Sequence, residues 1–331
     1  MHRKNPAFRE VGCNSTAVRE AGCTKVSPTR QLFSKEVFVG KNNDSNVISR
    51  AYIDSLTIEQ RLIDAVLPSP KARILGKEFA TPIMNAAFSF LAASHPGYPA
   101  EMAKGFRQAD ALNMWGMSND EEMSAIYATG ADTIEIIKPF RQEKDIFHRI
   151  EFAIAHGAFG VGMDIDHAFG RNGDYDDVAG NIMEPKTVQQ LASYVKAAGD
   201  LPFVVKGVLS VSDACKCVEA GAKAIVVSHH HGIFDGAVAP LRILPAIREA
   251  VGDKIEIIVD CGFESGLDVF KGLALGANAV SVSRHILAKT YESGADGVEK
   301  EIRKMTGELV SVMGRCGFAT VDSIDDSVIW K

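Results

Sequence analysis

Four segments of this chain share one pattern: Gly-Ala, two more residues, then a short apolar run that ends in polar groups. They begin at Gly130 (GADTIEIIKP), Gly157 (GAFGVGMDID), Gly221 (GAKAIVVSHH) and Gly276 (GANAVSVSRH). A second type interleaves with them: AAGDLPFVVKG ends at Gly207 and AVGDKIEIIVDCG ends at Gly262. The leading glycine closes a helix, because it takes up the left-handed C-cap without strain. The apolar runs are rich in β-branched residues and too short for helices, so each reads as a strand buried on both faces.

Helical patterns lie between these strands: DIFHRIEFAIAH, TVQQLASYVKAA, SVSDACKCVEA, PLRILPAIREA and SGLDVFKGLAL. Two upstream strands, Pro82–Phe88 and Asn113–Ser118, flank the helical EMAKGFRQADA. The count is then eight strands, each followed by a helix, at a spacing of roughly 27–30 residues, the size of one βα unit. This predicts an α/β fold, a (β/α)8 TIM barrel. An open doubly wound sheet is the alternative, but no GxGxxG turn follows the first strand. Residues 1–75 fall outside the repeat. Residues 1–48 read as a polar arm carrying Cys13 and Cys23, and 49–70 as a helix ending at the prolines and packed outside the barrel. The predicted division is 1–75 for this arm and helical extension and 76–331 for the barrel.

Composition narrows the class. Of 331 residues, 46% are hydrophobic and 24% charged, as in globular proteins, and the net charge is −6 with no basic block, which speaks against a nucleic-acid partner. No run approaches the roughly 20 apolar residues of a membrane span, and no apolar stretch follows the basic start, so a cytoplasmic protein with no membrane association is expected. Six cysteines are too few for a disulfide scaffold.

Barrel chemistry gathers at the C-terminal strand ends, where the βα loops converge. Those ends carry Asn85, Asn113, Trp115, Glu135, Lys138, Asp164, Asp166, Lys206, His229, His230, His231, Asp260 and Arg284. So many ionisable groups point to a shared polar site. After strand seven, Asp260 and the turn through Gly262 and Ser265 lead into a helix whose N–H groups can face an anion, and Arg284 can bind the same anion bidentately. The alternative for Arg284 is a surface salt bridge. A carboxylate at Asp166 beside an imidazole at His230 makes a general base. Side-chain alternation turns His229 and His231 away from His230 if the strand stays regular. Asp164, Asp166, His167 and the three histidines could also ligate a metal, but the ammonium of Lys206 between them repels one, so no metal is expected.

The segments VVKGVLSVSDACKCVEAGAKAIVVSHHHG and VDCGFESGLDVFKGLALGANAVSVSR resemble the FMN-dependent α-hydroxy-acid oxidase and dehydrogenase family, most strongly over 201–287 and more weakly from about residue 50 to 314. The resemblance implies a (β/α)8 barrel holding FMN at its mouth, a homo-oligomer such as a tetramer, and an oxidoreductase acting on CH–OH groups of a small-molecule substrate. It implies His230 as the base, Asp166 as its partner and Lys206 beside the flavin, where a cation stabilises the reduced form. For the cofactor it implies Ala86 and Ala87 against the ring, Asp260, Gly262, Ser265, Ser283 and Arg284 on the phosphate side, and Asn113, Glu135 and Asp164 at neighbouring strand ends. For the substrate it implies Trp115 and, in the loop after strand four, Arg171.

The sequence departs from the family at the substrate. In Ser228-His-His-His-Gly-Ile-Phe-Asp-Gly236, Ile233 stands near the place of the arginine that clamps the substrate carboxylate. Glu135-Ile-Ile-Lys-Pro replaces the strand-three Gln-Leu-Tyr, Asp164 a threonine, Glu264 a second arginine and Ser283 a glycine. Lys138, His229 and Arg171 are the cations left to anchor a substrate anion. The leading expectation is hydride transfer from a hydroxy-acid-like substrate to flavin N5. A flavin-dependent isomerase or reductase, a metal-dependent lyase or hydrolase, and a barrel that only binds a ligand are the alternatives.

Overall fold

The structure is a computed structural model and describes residues 43–89, 95–170 and 172–330. Eight parallel strands form one sheet: β1 (Ile83–Asn85), β2 (Asn113–Trp115), β3 (Thr133–Ile137), β4 (Gly160–Asp164), β5 (Phe203–Val208), β6 (Ala224–Val227), β7 (Glu256–Val259) and β8 (Ala279–Val282). Their order is β1-β8-β7-β6-β5-β4-β3-β2. The ends of that order meet: Asn85 N donates to Leu112 O at 3.0 Å, and Asn85 Nδ2 donates to Asn113 Oδ1 and Met114 O at 2.8 and 3.1 Å. The sheet thus closes as the expected barrel. Gly221 (φ 85°) and Gly276 (φ 109°) turn the chain from helix to strand in the left-handed region.

Nine α-helices are described. Ser45–Ser55 (α1) precedes the barrel. Tyr98–Gln108 (α2), Asp120–Ala128 (α3), Glu143–Ala155 (α4), Val188–Ala197 (α5), Val211–Glu219 (α6), Pro240–Val251 (α7), Gly266–Ala274 (α8) and Arg284–Cys316 (α9) follow the strands in turn. A hairpin of Ala72–Ile74 and Lys77–Phe79 runs before β1, and Leu75 N donates to the Glu256 carboxylate at the start of β7. The hairpin therefore covers the N-terminal end of the barrel and leaves the opposite end to the loops.

The register sorts side chains by face. Asp164 pairs with Lys206, and Lys206 with Val226, so these share the inward face. On β3, Thr133 and Glu135 pair with Asn113 and Trp115 and lie on the other face, against the helices.

The segment expected as one helix to the prolines differs. Helix α1 ends at Leu56, whose backbone is extended. Thr57 and Ile58 then pair antiparallel with Trp330 and Ile329, as β-branched residues readily do. Nor does α1 lie apart from the barrel mouth. Ser49 Oγ meets His229 Nε2 at 2.7 Å, Arg50 Nη1 donates to Gly262 O at 2.7 Å, and Lys271 Nζ donates to Ile53 O at 2.7 Å. The helix lies over the loops that follow β6 and β7. Cys13 and Cys23 lie outside the described residues. Among those described, no helix is long and apolar enough to cross a membrane.

Candidate active site

The inward residues at the ends of β4 and β5 start the site. Lys206 and Asp164 are buried, with Lys206 Nζ 3.2 Å from Asp164 Oδ1. Lys138, just past β3, donates to Asp164 Oδ2 at 2.6 Å. Burial opposes the charge of Asp164, but His230, Lys206 and Lys138 outweigh it and hold the carboxyl well below its usual range. Burial likewise opposes a charged Lys206, and Asp164, Asp166 and Asp260 keep its ammonium protonated.

Beyond Lys206 comes Gly207 (φ 88°), where a Cβ would lie 2.5 Å from Asp166 Cγ. Only glycine leaves Asp166 room to reach the ring above it. Asp166 Oδ1 accepts from His230 Nδ1 at 2.9 Å, and Asp164 Oδ1 lies 3.2 Å from the same nitrogen. His230 is half-buried, which works against its charge, and Lys206 repels it, yet the two aspartates leave its pKa raised. His167 completes the group. Its Nε2 is 3.1 Å from His230 Nε2, and its Nδ1 is 2.9 Å from Asp176 Oδ2.

Strand β6 stops at Val227, and His230 and His231 both take left-handed backbone (φ 48° and 57°). The alternation expected for the three histidines therefore does not apply: His230 and His231 both line the mouth, and only His229 turns away. His229 Nδ1 accepts from Gly232 N at 2.9 Å, so its Nε2 carries the proton and donates to Ser49. Non-glycine residues in this region carry a conformational cost, and such residues gather at functional sites.

These groups open on a cavity of about 300 Å³. Of the residues singled out from sequence, Ala86, Ala87, Lys138, His167, Lys206, His230, His231, Asp260, Ser283 and Arg284 line it. The first turn of α9 begins there with Ser283 and Arg284, so a helix N-terminus and a guanidinium share one wall. A second, adjoining cavity of about 820 Å³ is lined by Asp166, His167, Asp176, Ile233 and Phe234 among others. His167 lines both.

Other expected residues lie elsewhere. Glu135 faces the helices, accepting from Tyr127 Oη and from Arg149 Nε, each at 2.7 Å. Asn113 bridges Asn85 and Thr133 on that same outward face. Trp115 donates Nε1 to Ser118 and packs on Phe88 at 6.1 Å. Ser265 caps α8 through Asp268 N, Gly262 O accepts from Arg50, and Gly266 N donates to Glu308. These groups of the turn after β7 are thus satisfied within the protein, and it is α9 that presents its start to the cavity. Arg171 lies outside the described residues. His167 entered the sequence reading only as a possible metal ligand, and Asp176, in an irregular loop, carried no signal at all.

Asp164, Asp166, His167 and His230 bring their ligand-capable atoms within 4.8 Å of one another. Lys206 Nζ, 3.2 Å from both Asp164 and His230, supplies the positive charge inside that cluster. Cys261 also faces the cavity, but burial pushes its thiol up to about 12 and keeps it protonated.

Comparison with known proteins bears on this geometry. The sequence model of FMN-dependent dehydrogenases matches residues 40–196 and 171–331. An L-lactate oxidase of Nostoc is 38% identical over 51% of this chain and 46% of its own length, so the match spans about half of that relative. A 2-hydroxyacid oxidase of Dictyostelium discoideum is 26% identical over 82% of this chain and 79% of its own. Among solved structures, a mandelate oxidase variant with a monooxide FMN adduct superposes with a TM-score of 0.78, at 30% identity over 89% of this chain and 96% of that one.

Proposed function

Because this chain belongs to the FMN-dependent dehydrogenase family, we propose that it oxidises the CH–OH group of a hydroxy-acid-like substrate with FMN at the barrel mouth. The observation that carries this reading is the juxtaposition of Lys206 and His230, the latter held by Asp166, in a cavity that Arg284 also lines. The donor set fits such a group. Ala86 and Ala87 offer a wall without long side chains, Lys206 a buried ammonium, and Arg284 with the start of α9 a seat for a phosphate. FMN, when bound, supplies the two-electron acceptor.

The protein's own residues handle the proton. Asp166 fixes His230 with Nδ1 protonated, which leaves Nε2 to receive the hydroxyl proton as the C–H bond gives up its hydride. Lys206 stabilises negative charge that develops beside it.

The substrate differs from a plain small 2-hydroxy acid. Ile233, near the place of the usual carboxylate clamp, lines the second cavity and offers no charge. Lys138 lines the first, but its ammonium is already paired with Asp164. A larger substrate, or one whose anion lies elsewhere, suits these residues better. A homo-oligomer accompanies this reading and rests on sequence resemblance.

The test is direct. Protein incubated with FMN and desalted should retain visible flavin absorption, and anaerobic addition of substrates from a hydroxy-acid panel should bleach it. A protein that retains no flavin would sink the reading.

A further inference from the structure

Outside the constellation that the family resemblance accounts for, one relationship is left without a role: the contact between His167 and His230. The two rings meet edge to face, with centroids 4.3 Å apart and planes at 82°. Their Nε2 atoms are 3.1 Å apart. Each ring's other nitrogen faces a carboxylate, His230 Nδ1 toward Asp166 Oδ1 at 2.9 Å and His167 Nδ1 toward Asp176 Oδ2 at 2.9 Å.

An ionised carboxylate only accepts, so each Nδ1 carries a proton. Were both rings neutral, two Nε2 lone pairs would face each other at hydrogen-bond distance. One additional proton turns that contact into an N–H···N bond. We propose that His167 and His230 form a single acid–base unit sharing one proton between their Nε2 atoms, through which a proton taken at His230 passes to His167 and on toward Asp176.

The inference deepens the proposed function, since it assumes that His230 is the base, but the proton sharing itself requires no substrate. Every charged neighbour bears on it. Asp164, Asp166 and Lys206 surround His230, while Asp176, Asp164 and Lys138 act on His167. Proton affinities are ordered accordingly, raised at His230 and lowered at His167, so the shared proton rests nearer His230. The base is then idle while the pair is charged and works once the pair has released that proton. Release has an outlet, because His167 lines both the inner cavity and the larger one beyond, which Asp176 also lines. The balance is simple: substrate hydroxyl loses H⁺ to His230 Nε2, and the pair returns H⁺ to water by way of His167. His167 touches the base rather than the reacting atoms and is a positioning residue.

The experiment is a ¹⁵N NMR titration of ring-labelled histidines in the full-length protein, with reduction kinetics of the FMN-loaded protein alongside. In the unaltered protein both Nε2 signals should move with a common midpoint. His167→Phe keeps the ring and removes the acceptor, so the His230 midpoint should fall by roughly one pH unit, the scale of one hydrogen bond to a charged group. The pH profile of reduction should fall with it. Asp176→Asn keeps both histidines but lets His167 carry its proton on Nε2, which satisfies a neutral pair, so this variant should also lower the shared midpoint. Independent midpoints in the unaltered protein, or a His230 midpoint unmoved by both variants, would overturn the proposal. A common midpoint in a protein that no hydroxy acid reduces would leave the shared proton standing and reject the oxidase reading instead.

Discussion

Lys138 Nζ donates to Asp164 Oδ2 at 2.6 Å, and both side chains are nearly inaccessible to solvent. The other carboxylate oxygen faces Lys206 and His230, each at 3.2 Å. One carboxylate thus pairs with two buried ammonium groups and braces the base.

That asymmetry sets a stability prediction. Asp164→Asn strands Lys138 as a buried cation, leaves Lys206 with Asp166 and Asp260 alone, and should cost about 3–5 kcal/mol, the usual penalty for breaking a buried ion pair. Lys138→Met leaves Asp164 still paired with Lys206 and should cost about 1–3 kcal/mol. Urea denaturation of the two variants checks the order. Equal losses would mean that Asp164 is not the hub.

The raised pKa of His230 makes activity and stability move oppositely. Burial lowers it and the two aspartates more than restore it, so it exceeds the ordinary 6.5. A raised folded value contributes stability that is fully present below the unfolded value and is lost as pH climbs through the folded one. Catalysis needs the neutral ring. Reduction of the flavin by substrate should therefore rise over the same interval, above 6.5, in which the contribution of His230 to stability fades. Asp164 acts on the acid side: its depressed value contributes stability above the ordinary 3.8 that is lost as pH falls further. Stopped-flow reduction and denaturation midpoints at matched pH check both. His230→Asn should retain flavin and lose roughly 10²–10⁴-fold in reduction rate, the range of a general base.

The barrel was legible because six of the eight strands are short apolar runs with a glycine just before or after them, a local signal. Glu135 and Lys138 are three residues apart and so lie on opposite faces, a distinction that polarity near a strand end does not make. Sorting by alternation would have set Glu135 aside, and its register partner Trp115 with it. The histidine run fails differently. His230 and His231 leave extended backbone for the left-handed region, and no side-chain periodicity signals that switch. The position of α1 over the mouth rests on Ser49–His229 and Arg50–Asp268, contacts 180 and 218 residues apart in sequence, which local patterns do not encode.

Arg284 should matter to phosphate and not to the ring system. It lines the cavity at the start of α9, with Nη2 3.4 Å from Asn46 Oδ1. Arg284→Ala should weaken FMN binding by about 1.5–3 kcal/mol, roughly tenfold or more. Riboflavin, which lacks the phosphate, should bind the variant and the unaltered protein alike. Fluorescence titration with both ligands separates the cases. A parallel loss for riboflavin would assign Arg284 to shaping the pocket instead.

Arg50 fastens the helix that lies over the mouth. Its Nη1 donates to Gly262 O at 2.7 Å and to Asp268 Oδ2 at 3.0 Å, and its Nη2 donates to Asp268 Oδ1 at 3.0 Å. The planar fork thus spans both carboxylate oxygens and a turn carbonyl at once, a geometry that a lysine ammonium lacks. Asp268 is held below its usual range: burial opposes its charge, and Arg50, Glu264 N and Ser265 reverse the balance. Arg50→Ala should cost about 1–3 kcal/mol, and Arg50→Lys should recover little of it although the charge is kept. Limited proteolysis should then cut near α1 in both variants before the barrel opens, because Ser49 and His229 lose the clamp beside them. A lysine variant as stable and as protease-resistant as the unaltered protein would show that charge alone, and not the bidentate fork, holds α1 in place.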